Sequence, residues 1–185
     1  MRIVGISGSL RRGSFNTALL RAAAEVAPAG VSLEARTIHG IPLYDADVEN
    51  GPGIPEAVTR LKDEIASSNG LLLVTPEYNN SIPGVFKNAI DWLSRPDADI
   101  ARVFRGRPVA IIGASPGRFG TTLSQSAWLP VIRTLGMRPW LDERLLVFEA
   151  RKVFDESGKL TDPSTRERMV KFVEGYCAFV AANAR

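Results

Sequence analysis

A cluster of hydroxyl, amide and guanidinium side chains lies near the start of the chain, in the stretch ISGSLRRGSFN. It follows the apolar run RIVGIS and precedes an apolar pattern with helical spacing, so it is predicted to be a turn between a strand and a helix. Such a turn presents backbone N–H groups and the positive end of the helix dipole to an anion. Ser9 and Ser14 add hydroxyl donors. Arg11 or Arg12 adds positive charge, and Asn16 either caps the helix or donates to the ligand. These residues predict a phosphate site.

The residues that this turn lacks exclude several classes of phosphate ligand. The Lys-Ser/Thr ending of a nucleoside triphosphatase loop is missing, and Gly5, Gly8 and Gly13 do not follow the G-x-G-x-x-G pattern of dinucleotide sites. The turn also lacks the nucleophilic cysteine that a phosphatase would need. A phosphate held without lysine, magnesium or nucleophile is bound and not transferred, and the phosphate of FMN fits this description. A well-capped turn with a solvated arginine pair is the alternative.

The elements that must position this turn alternate along the chain between buried strands and amphipathic helices. The predicted strands cover 2–7, 31–37, 70–75 and 107–115, with MRPW and RLLVF as candidates for a fifth. The predicted helices cover 16–26, 56–68, 85–94, 122–136 and 162–184, and 38–55 is predicted to be a long loop. This alternation predicts a single α/β domain over residues 1–185. The expected architecture is a flavodoxin-like three-layer sandwich with a five-stranded parallel sheet in the order 2-1-3-4-5.

Three polar loops rich in Gly and Pro follow the first, third and fourth predicted strands: SGSLRRGSFN, TPEYNNSIPG and ASPGRFGT. In the predicted strand order these three strands are neighbours at the centre of the sheet. Ligands of such sheets bind outside the carboxyl ends of the strands, where the strand order reverses. The three loops are therefore predicted to form one continuous rim around the phosphate site.

The composition argues against several other classes of function. The net charge of +3 comes from Lys, Arg, Asp and Glu residues that are mixed along most of the chain, which gives little support for binding to nucleic acid or membranes. One cysteine, Cys177, excludes an internal disulfide, and the lone His39 cannot build a metal site, so no metal is expected. No apolar stretch has the length of a membrane span, and the N-terminus shows no apolar signal region. We therefore expect a cytoplasmic protein.

Two long motifs resemble a known family. GSLRRGSFN and PEYNNSIPGVFKNAIDWLSRP are similar to signature stretches of the flavodoxin-like NADPH-dependent FMN reductases, and most similar to the soluble quinone and chromate reductase branch. The segment PLYDAD is also similar to that branch, and the resemblance covers roughly residues 3–140 in the same order. The resemblance implies that the phosphate of FMN is held by Ser9, Arg11, Ser14 and Asn16, together with the backbone of Phe15 and Thr17. It implies that the flavin ring is lined by the loop of Pro76, Glu77, Tyr78 and Asn79. The loop after the fourth strand is expected to flank the ring with Ser115 and Gly117.

The resemblance implies an FMN-dependent NAD(P)H oxidoreductase that passes two electrons to quinones or similar acceptors in a ping-pong hydride mechanism. Chromate, ferric complexes, azo compounds and free flavin are further acceptors in this interpretation. The flavin N5 carries the hydride, so no side chain is obliged to act as acid or base, and Tyr78 and Arg118 are the candidate substrate contacts. Family members form dimers that pair into tetramers, so a homodimer or homotetramer is expected, and Tyr44 with its acidic neighbours is a candidate subunit contact.

Two alternatives remain at this stage. One is a flavodoxin-type carrier that binds FMN and shuttles single electrons to protein partners; the other is a flavin-free α/β regulator. The charge of +3 and the single aromatic residue of the second loop, Tyr78, favour the enzyme, because an open ring face is available to a nicotinamide. For Glu77 two roles stay open: a structural or intersubunit carboxylate, or a contact to flavin or substrate.

Overall fold

A parallel sheet in the order β2-β1-β3-β4-β5, with a sixth strand beside β4, forms the centre of the computed structural model, which describes residues 1–183. The strands are β1 (Arg2–Ser7), β2 (Ser32–Thr37), β3 (Gly70–Val74), β4 (Pro108–Ala114), β5 (Arg138–Pro139) and β6 (Leu145–Val147). The predicted strand order is confirmed. Strand β3 is buried along its whole length, as expected for an apolar run between two neighbouring strands with helices on both faces.

The fifth position of the sheet is divided between two short strands, and both sequence candidates contribute. β5 pairs with β4 at Pro108 and Val109, and β6 pairs with β4 from Ile112 to Ala114. The intervening segment, 140–144, leaves the ladder after Trp140, whose amide donates to the carbonyl of Val109 at 2.8 Å. Since this is the edge of the sheet, the interruption leaves the central strands intact.

The helices lie close to their predicted positions. They are α1 (Phe15–Glu25), α2 (Ala46–Asn50), α3 (Glu56–Ala66), α4 (Gly84–Leu93), α5 (Ile100–Val103), α6 (Thr122–Thr134), α7 (Ala150–Val153) and α8 (Pro163–Ala182). The segment 38–55 was predicted to be a loop throughout, but it contains α2, which Asp45 caps through the amide of Asp47. The short helices α5 and α7 were also missed, because one turn carries too little periodicity to be recognised. Residue 184, the end of the last predicted helix, lies outside the described residues.

Alternating strand residues supply two apolar layers, one on each side of the sheet. Ile3 of β1 belongs to the layer that packs against α1 and α8, whereas Val4 and Ile6 belong to the layer formed with α3, α4 and α6. The hydroxyl of Tyr176 in α8 is within hydrogen-bonding distance of two strand carbonyls, Leu71 at 2.8 Å and Pro108 at 3.0 Å. The three-layer sandwich is thus confirmed. Among residues 1–183, no helix combines the length and hydropathy needed to cross a bilayer.

Candidate functional site

A cleft of about 570 Å³ opens at the carboxyl ends of β1, β3 and β4. Because these strands are adjacent in the sheet, the loops that follow them meet here, as the sequence predicts. Loop 1 (8–14), loop 2 (75–83) and loop 3 (115–121) all contribute, together with α7. The lining residues are Ser9, Arg11, Ser14, Phe15, Asn16, Pro76, Glu77, Tyr78, Ala114, Ser115, Pro116 and Arg151.

Loop 1 begins with a glycine for which no larger residue has room. A Cβ at Gly8 would lie 2.1 Å from Cδ1 of the buried Phe86, while its amide donates to the carbonyl of Val74 at the end of β3. The loop therefore turns directly over the centre of the sheet. The next residue, Ser9, is buried in the cleft wall, and its Oγ accepts the amide of Arg11 at 3.3 Å. That hydroxyl keeps its own hydrogen as a donor.

Ser14 caps α1. Its Oγ accepts the amides of Asn16 at 3.2 Å and Thr17 at 3.3 Å, which satisfies two of the free donors at the start of the helix. The first turn of α1 contains no acidic residue, so the positive end of its dipole is not offset by its own side chains. This end of the cleft is therefore suited to an anion.

The side chain of Asn16 has a role that the sequence does not reveal. Its Nδ2 donates to the carbonyl of Ala114 and its Oδ1 accepts the amide of Ala114, both at 2.9 Å. The side chain thus joins the start of α1 to the end of β4. One Nδ2 hydrogen remains for another acceptor, because an amide nitrogen carries two.

Arg11 supplies the positive charge of loop 1. Its guanidinium carbon lies 5.3 Å from the ring centre of Phe15, and that ring stacks on Phe154 with centres 6.0 Å apart. Among the described residues its side chain has this ring contact and no carboxylate partner. An exposed guanidinium that lacks an acidic partner is available to an anionic ligand.

The single histidine supports loop 1 from the side. The ring nitrogens of His39 lie 3.1 Å from the hydroxyl of Thr37 and 3.1 Å from the carbonyl of Leu10. His39 therefore joins the end of β2 to loop 1 and lies outside the residues that line the cleft. Within residues 1–183, no group of three or more His, Cys, Asp or Glu residues is placed to hold a metal ion.

Loop 2 ends in a tight turn that presents an aromatic ring. Tyr78 and Ser81 exchange backbone hydrogen bonds of 3.2 and 3.0 Å, and the two central residues, Asn79 and Asn80, have φ values of +49° and +61°. Two positive φ values are typical of a type I′ turn, and asparagine tolerates this conformation better than most residues. The turn holds Tyr78 at the cleft with 48% of the residue exposed.

The role of Glu77, left open by the sequence, is seen in the contacts of its carboxylate. Its Oε2 accepts the amides of Leu123 at 2.8 Å and Ser124 at 3.0 Å, in the first turn of α6. Thr121, at the start of that helix, makes no side-chain capping bond. Glu77 therefore caps α6 from a distant loop and attaches loop 2 to the start of that helix.

The fourth side of the cleft comes from the segment after β6. The amides of Glu149 and Ala150 donate to the carbonyls of Gly117 and Ser115, each at 3.0 Å, so this segment is attached to loop 3. The following residue, Arg151, lines the cleft. No motif pointed to it, because it lies far along the chain from both signature stretches.

The structure brings most of the predicted site residues together. The predicted residues that line the cleft are Ser9, Arg11, Ser14, Phe15, Asn16, Pro76, Glu77, Tyr78 and Ser115. Thr17, Asn79, Gly117 and Arg118 lie in or beside the same loops but do not line the cleft in this structure. Ala114, Pro116 and Arg151 line it and were not predicted. Which of all these residues contact a cofactor or substrate stays a prediction.

The sheet, the anion-suited turn and the aromatic loop define a flavodoxin-like α/β protein with a cleft at the carboxyl ends of its central strands. Comparison with known proteins gives the family. The profile of the NADPH-dependent FMN reductase family matches residues 1–150, and the chain belongs to this family.

Individual relatives agree with this assignment. The chain is 44% identical over 167 residues to an NAD(P)H-dependent FMN reductase of Pseudomonas aeruginosa, covering 90% of this chain and 88% of the relative. It is 39% identical over 180 residues to a 2-hydroxy-1,4-benzoquinone reductase of a Burkholderia species, covering 97% and 96%. Among solved structures, the flavoenzyme NAD(P)H:acceptor oxidoreductase FerB of Paracoccus denitrificans superimposes with a TM-score of 0.88 at 30% identity. The match covers 100% of this chain and 99% of FerB. The predicted family, oxidoreductase class and cofactor pair of FMN with NAD(P)H are confirmed.

Proposed function

We propose that the chain uses FMN bound in this cleft to transfer two electrons from NADPH or NADH to a quinone or a similar flat acceptor. The observation that carries the proposal is the cleft itself. It combines an anion-suited end at the start of α1 with the aromatic side chain of Tyr78, both at the carboxyl edge of the central strands. Its volume of about 570 Å³ lies in the ordinary range of ligand sites.

The residues of loop 1 fit the phosphate of FMN. Ser9 and Ser14 are buried serines whose hydroxyl hydrogens are free to donate, and Arg11 adds a guanidinium without an acidic partner among the described residues. A phosphate accepts such donors in charge-assisted hydrogen bonds, which are stronger than neutral ones. These donors can hold a phosphate without a metal ion or a lysine, as expected for a phosphate that is bound and left intact.

The residues of loops 2 and 3 fit the ring system. Pro76 and Tyr78 offer apolar and aromatic surface on one side of the cleft, and Ser115 and Pro116 face it from loop 3. Tyr78 is the one aromatic side chain that loops 2 and 3 place at the cleft among the described residues, which leaves a ring face open on this side to a nicotinamide or an acceptor. Chromate, ferric complexes, azo compounds and free flavin are further candidate acceptors for a site of this shape.

The chemistry of the reaction is supplied by FMN when it is bound, since it takes up and gives back two electrons in the form of a hydride. The chain's own residues bind and orient. No histidine lines the cleft, and the carboxylate of Glu77 already accepts two amides of α6. We therefore assign no side chain as acid or base, and we expect donor and acceptor to use the same open face in turn, with ping-pong kinetics.

We also propose that the protein forms a homodimer or a homotetramer and acts in the cytoplasm. Leu43 and Phe119 are large apolar residues that are 79% and 81% exposed, so each is available to a partner subunit. Leu43 lies beside Tyr44, whose ring packs edge-on against Trp92 and whose amide donates to Asn88. The loop that carries Leu43 is thus packed on α4, which supports its assignment as a contact surface. The cytoplasm is proposed because it supplies NAD(P)H.

The experiment that tests the proposed function is a spectroscopic titration of the purified protein without oxygen. We expect flavin absorption that bleaches on addition of one equivalent of NADPH and returns on addition of benzoquinone. If the bound flavin is not reduced by NADPH or NADH and takes up a single electron from dithionite, the protein is a flavodoxin-type electron carrier. A colourless protein that takes up no added FMN would overturn the assignment of the cleft. The carrier is not favoured, because the relatives are reductases.

A further inference from the structure

We propose that Arg151 is a second arginine for the phosphate of FMN and makes the cleft select FMN over unphosphorylated flavin. This inference rests on the proposed function, because it assigns a residue to the same site. Arg151 lies just beyond residues 1–150, which the family profile matches, and belongs to none of the signature motifs. The inference therefore depends on where the fold places this side chain.

Arg151 lines the cleft together with the residues of the phosphate end, Ser9, Arg11 and Ser14. The end of the helix that carries it, α7, is joined to the start of α1 through an aromatic contact. Phe154, immediately after α7, stacks on Phe15 of α1, and Phe15 is the ring over which the guanidinium of Arg11 lies. The end of α7 thus lies next to the ring that Arg11 contacts, and Arg151 lies one helical turn before Phe154.

The backbone that positions Arg151 is held firmly in place. The amides of the two preceding residues, Glu149 and Ala150, donate to carbonyls of loop 3 at 3.0 Å each. Glu149 has a φ value of +44°, a conformation that a non-glycine residue adopts at a cost when surrounding contacts impose it. The location of Arg151 is therefore set by main-chain contacts between α7 and loop 3.

The side chain of Arg151 lacks a carboxylate partner among the described residues. Among residues 1–183 its side chain has no hydrogen bond and no ion pair. Its neighbour Lys152 pairs with Glu149 at 2.8 Å, and arginines such as Arg102 bind carboxylates closely. Within the described part of the chain, Glu77 is the one acidic residue that lines the cleft, and its Oε2 accepts amides of α6. Two guanidinium groups without carboxylate partners thus line one cleft, an arrangement suited to a dianionic phosphate.

The test compares FMN with riboflavin, which has the same ring and ribityl chain but no phosphate. The dissociation constants of both flavins are measured by fluorescence quenching on the flavin-free full chain, for the wild type, Arg151→Gln, Arg151→Lys and Lys152→Gln. We expect Arg151→Gln to weaken FMN binding at least tenfold and to leave riboflavin binding within twofold. Arg151→Lys should recover part of the loss, because it restores the charge without the fork of donors. Lys152→Gln is the matched control from the same turn and should change neither constant.

Other outcomes overturn the inference. If Arg151→Gln weakens the binding of both flavins equally, the side chain serves the ring or the ribityl chain; if it weakens the binding of neither, the residue has no role in flavin binding. Unchanged FMN binding with a changed ratio of the KM values for NADPH and NADH would assign Arg151 to the nicotinamide cofactor instead. Thermal unfolding of the flavin-free variants checks that each is folded. A wild type that binds neither flavin would refute the proposed function itself, which separates the two failures.

Discussion

The side-chain amide of Asn16 forms two hydrogen bonds with the main chain of Ala114, 98 residues further along the chain. Both bonds are 2.9 Å long and both are buried. Asn16 lies in the first turn of α1 and Ala114 is the last residue of β4, so the pair joins loop 1 to the start of loop 3. The pair thereby joins two sides of the cleft directly.

The first prediction concerns this pair. Replacing Asn16 with Ala leaves a buried amide and a buried carbonyl of Ala114 without partners, and we expect the free energy of unfolding to fall by about 2 to 4 kcal/mol. Urea unfolding of the flavin-free protein measures this loss. The exposed residue Asn50 provides the control, since Asn50→Ala removes an amide that lies outside the cleft. Equal stability of the two variants would contradict the role assigned to Asn16.

The second prediction concerns the distant cap of α6. Glu77→Ala removes the acceptor of two helical amides, and we expect a loss of about 1 kcal/mol in the free energy of unfolding. Glu77→Gln should lose less, because it keeps an acceptor oxygen and gives up only the attraction between the charge and the helix dipole. Chemical denaturation ranks the variants, with Glu156→Ala as a control on an exposed turn. A Gln variant less stable than the Ala variant would refute the capping role.

The third prediction compares two glycines of loop 1. A methyl group at Gly8 would meet the ring of Phe86 at 2.1 Å, so Gly8→Ala is expected to cost about 1 to 3 kcal/mol of stability. Gly13→Ala is the matched control. The nearest atom there is Nη1 of Arg11 at 3.8 Å, and the substitution should be neutral or stabilising by less than about 1 kcal/mol. Melting temperatures of both flavin-free variants decide the point, and similar values would show that Phe86 moves aside easily.

The fourth prediction separates the adjacent arginines of loop 1. Arg11 lines the cleft, whereas Arg12 does not. Arg11→Ala should weaken FMN binding at least tenfold, since a hydrogen bond to a charged group contributes about 1.5 to 3 kcal/mol. Arg12→Ala should change FMN binding by less than threefold. The flavin content after dialysis and the dissociation constant of FMN provide two readouts, and normal FMN retention in Arg11→Ala would remove Arg11 from the phosphate end.

The fifth prediction concerns pH. Hydrogen bonds from Arg102 and from the buried Lys62 lower the pKa of Asp99 from its ordinary value of 3.8 to about 2. Because the folded-state pKa lies below the unfolded one, this carboxylate stabilises the fold above about pH 4, and the contribution is lost as the pH falls from 4 towards 2. The pKa difference corresponds to about 2 kcal/mol.

Asp99→Asn is therefore expected to lower the free energy of unfolding at pH 7 by about 2 kcal/mol or more, since Lys62 loses its carboxylate partner. Near pH 2.5 the difference from the wild type should narrow. Urea titrations at both pH values measure this, and Asp97→Asn is the control because that carboxylate is 75% exposed. A stability loss of the same size at both pH values would show that the effect of Asp99 does not depend on its charge.

Much of the fold could be predicted because its determinants are local. β1, β3 and β4 are short apolar runs, and the residues that follow each one are typical of turns, so both strands and loops are recognisable within a few positions. The parallel order follows from the regular alternation of strands and helices. The short helices α2 and α7 and the divided strand at the sheet edge were harder to predict from the sequence. A single helical turn, or two or three residues of β structure, carries almost no periodic pattern.

By itself the sequence determined the class of protein, through its two signature motifs and the alternation of buried strands with helices, and it predicted an anion-binding turn in loop 1. The tertiary structure alone decided which groups remain free at that turn. In the folded protein the side-chain amide of Asn16 is hydrogen-bonded to the main chain of Ala114, and the carboxylate of Glu77 accepts amides of α6. The fold also places Arg151 at the cleft. The physical reason is distance along the chain. Turns and helices form between neighbouring residues, whereas these contacts join residues that meet only when the sheet has assembled in its order and register.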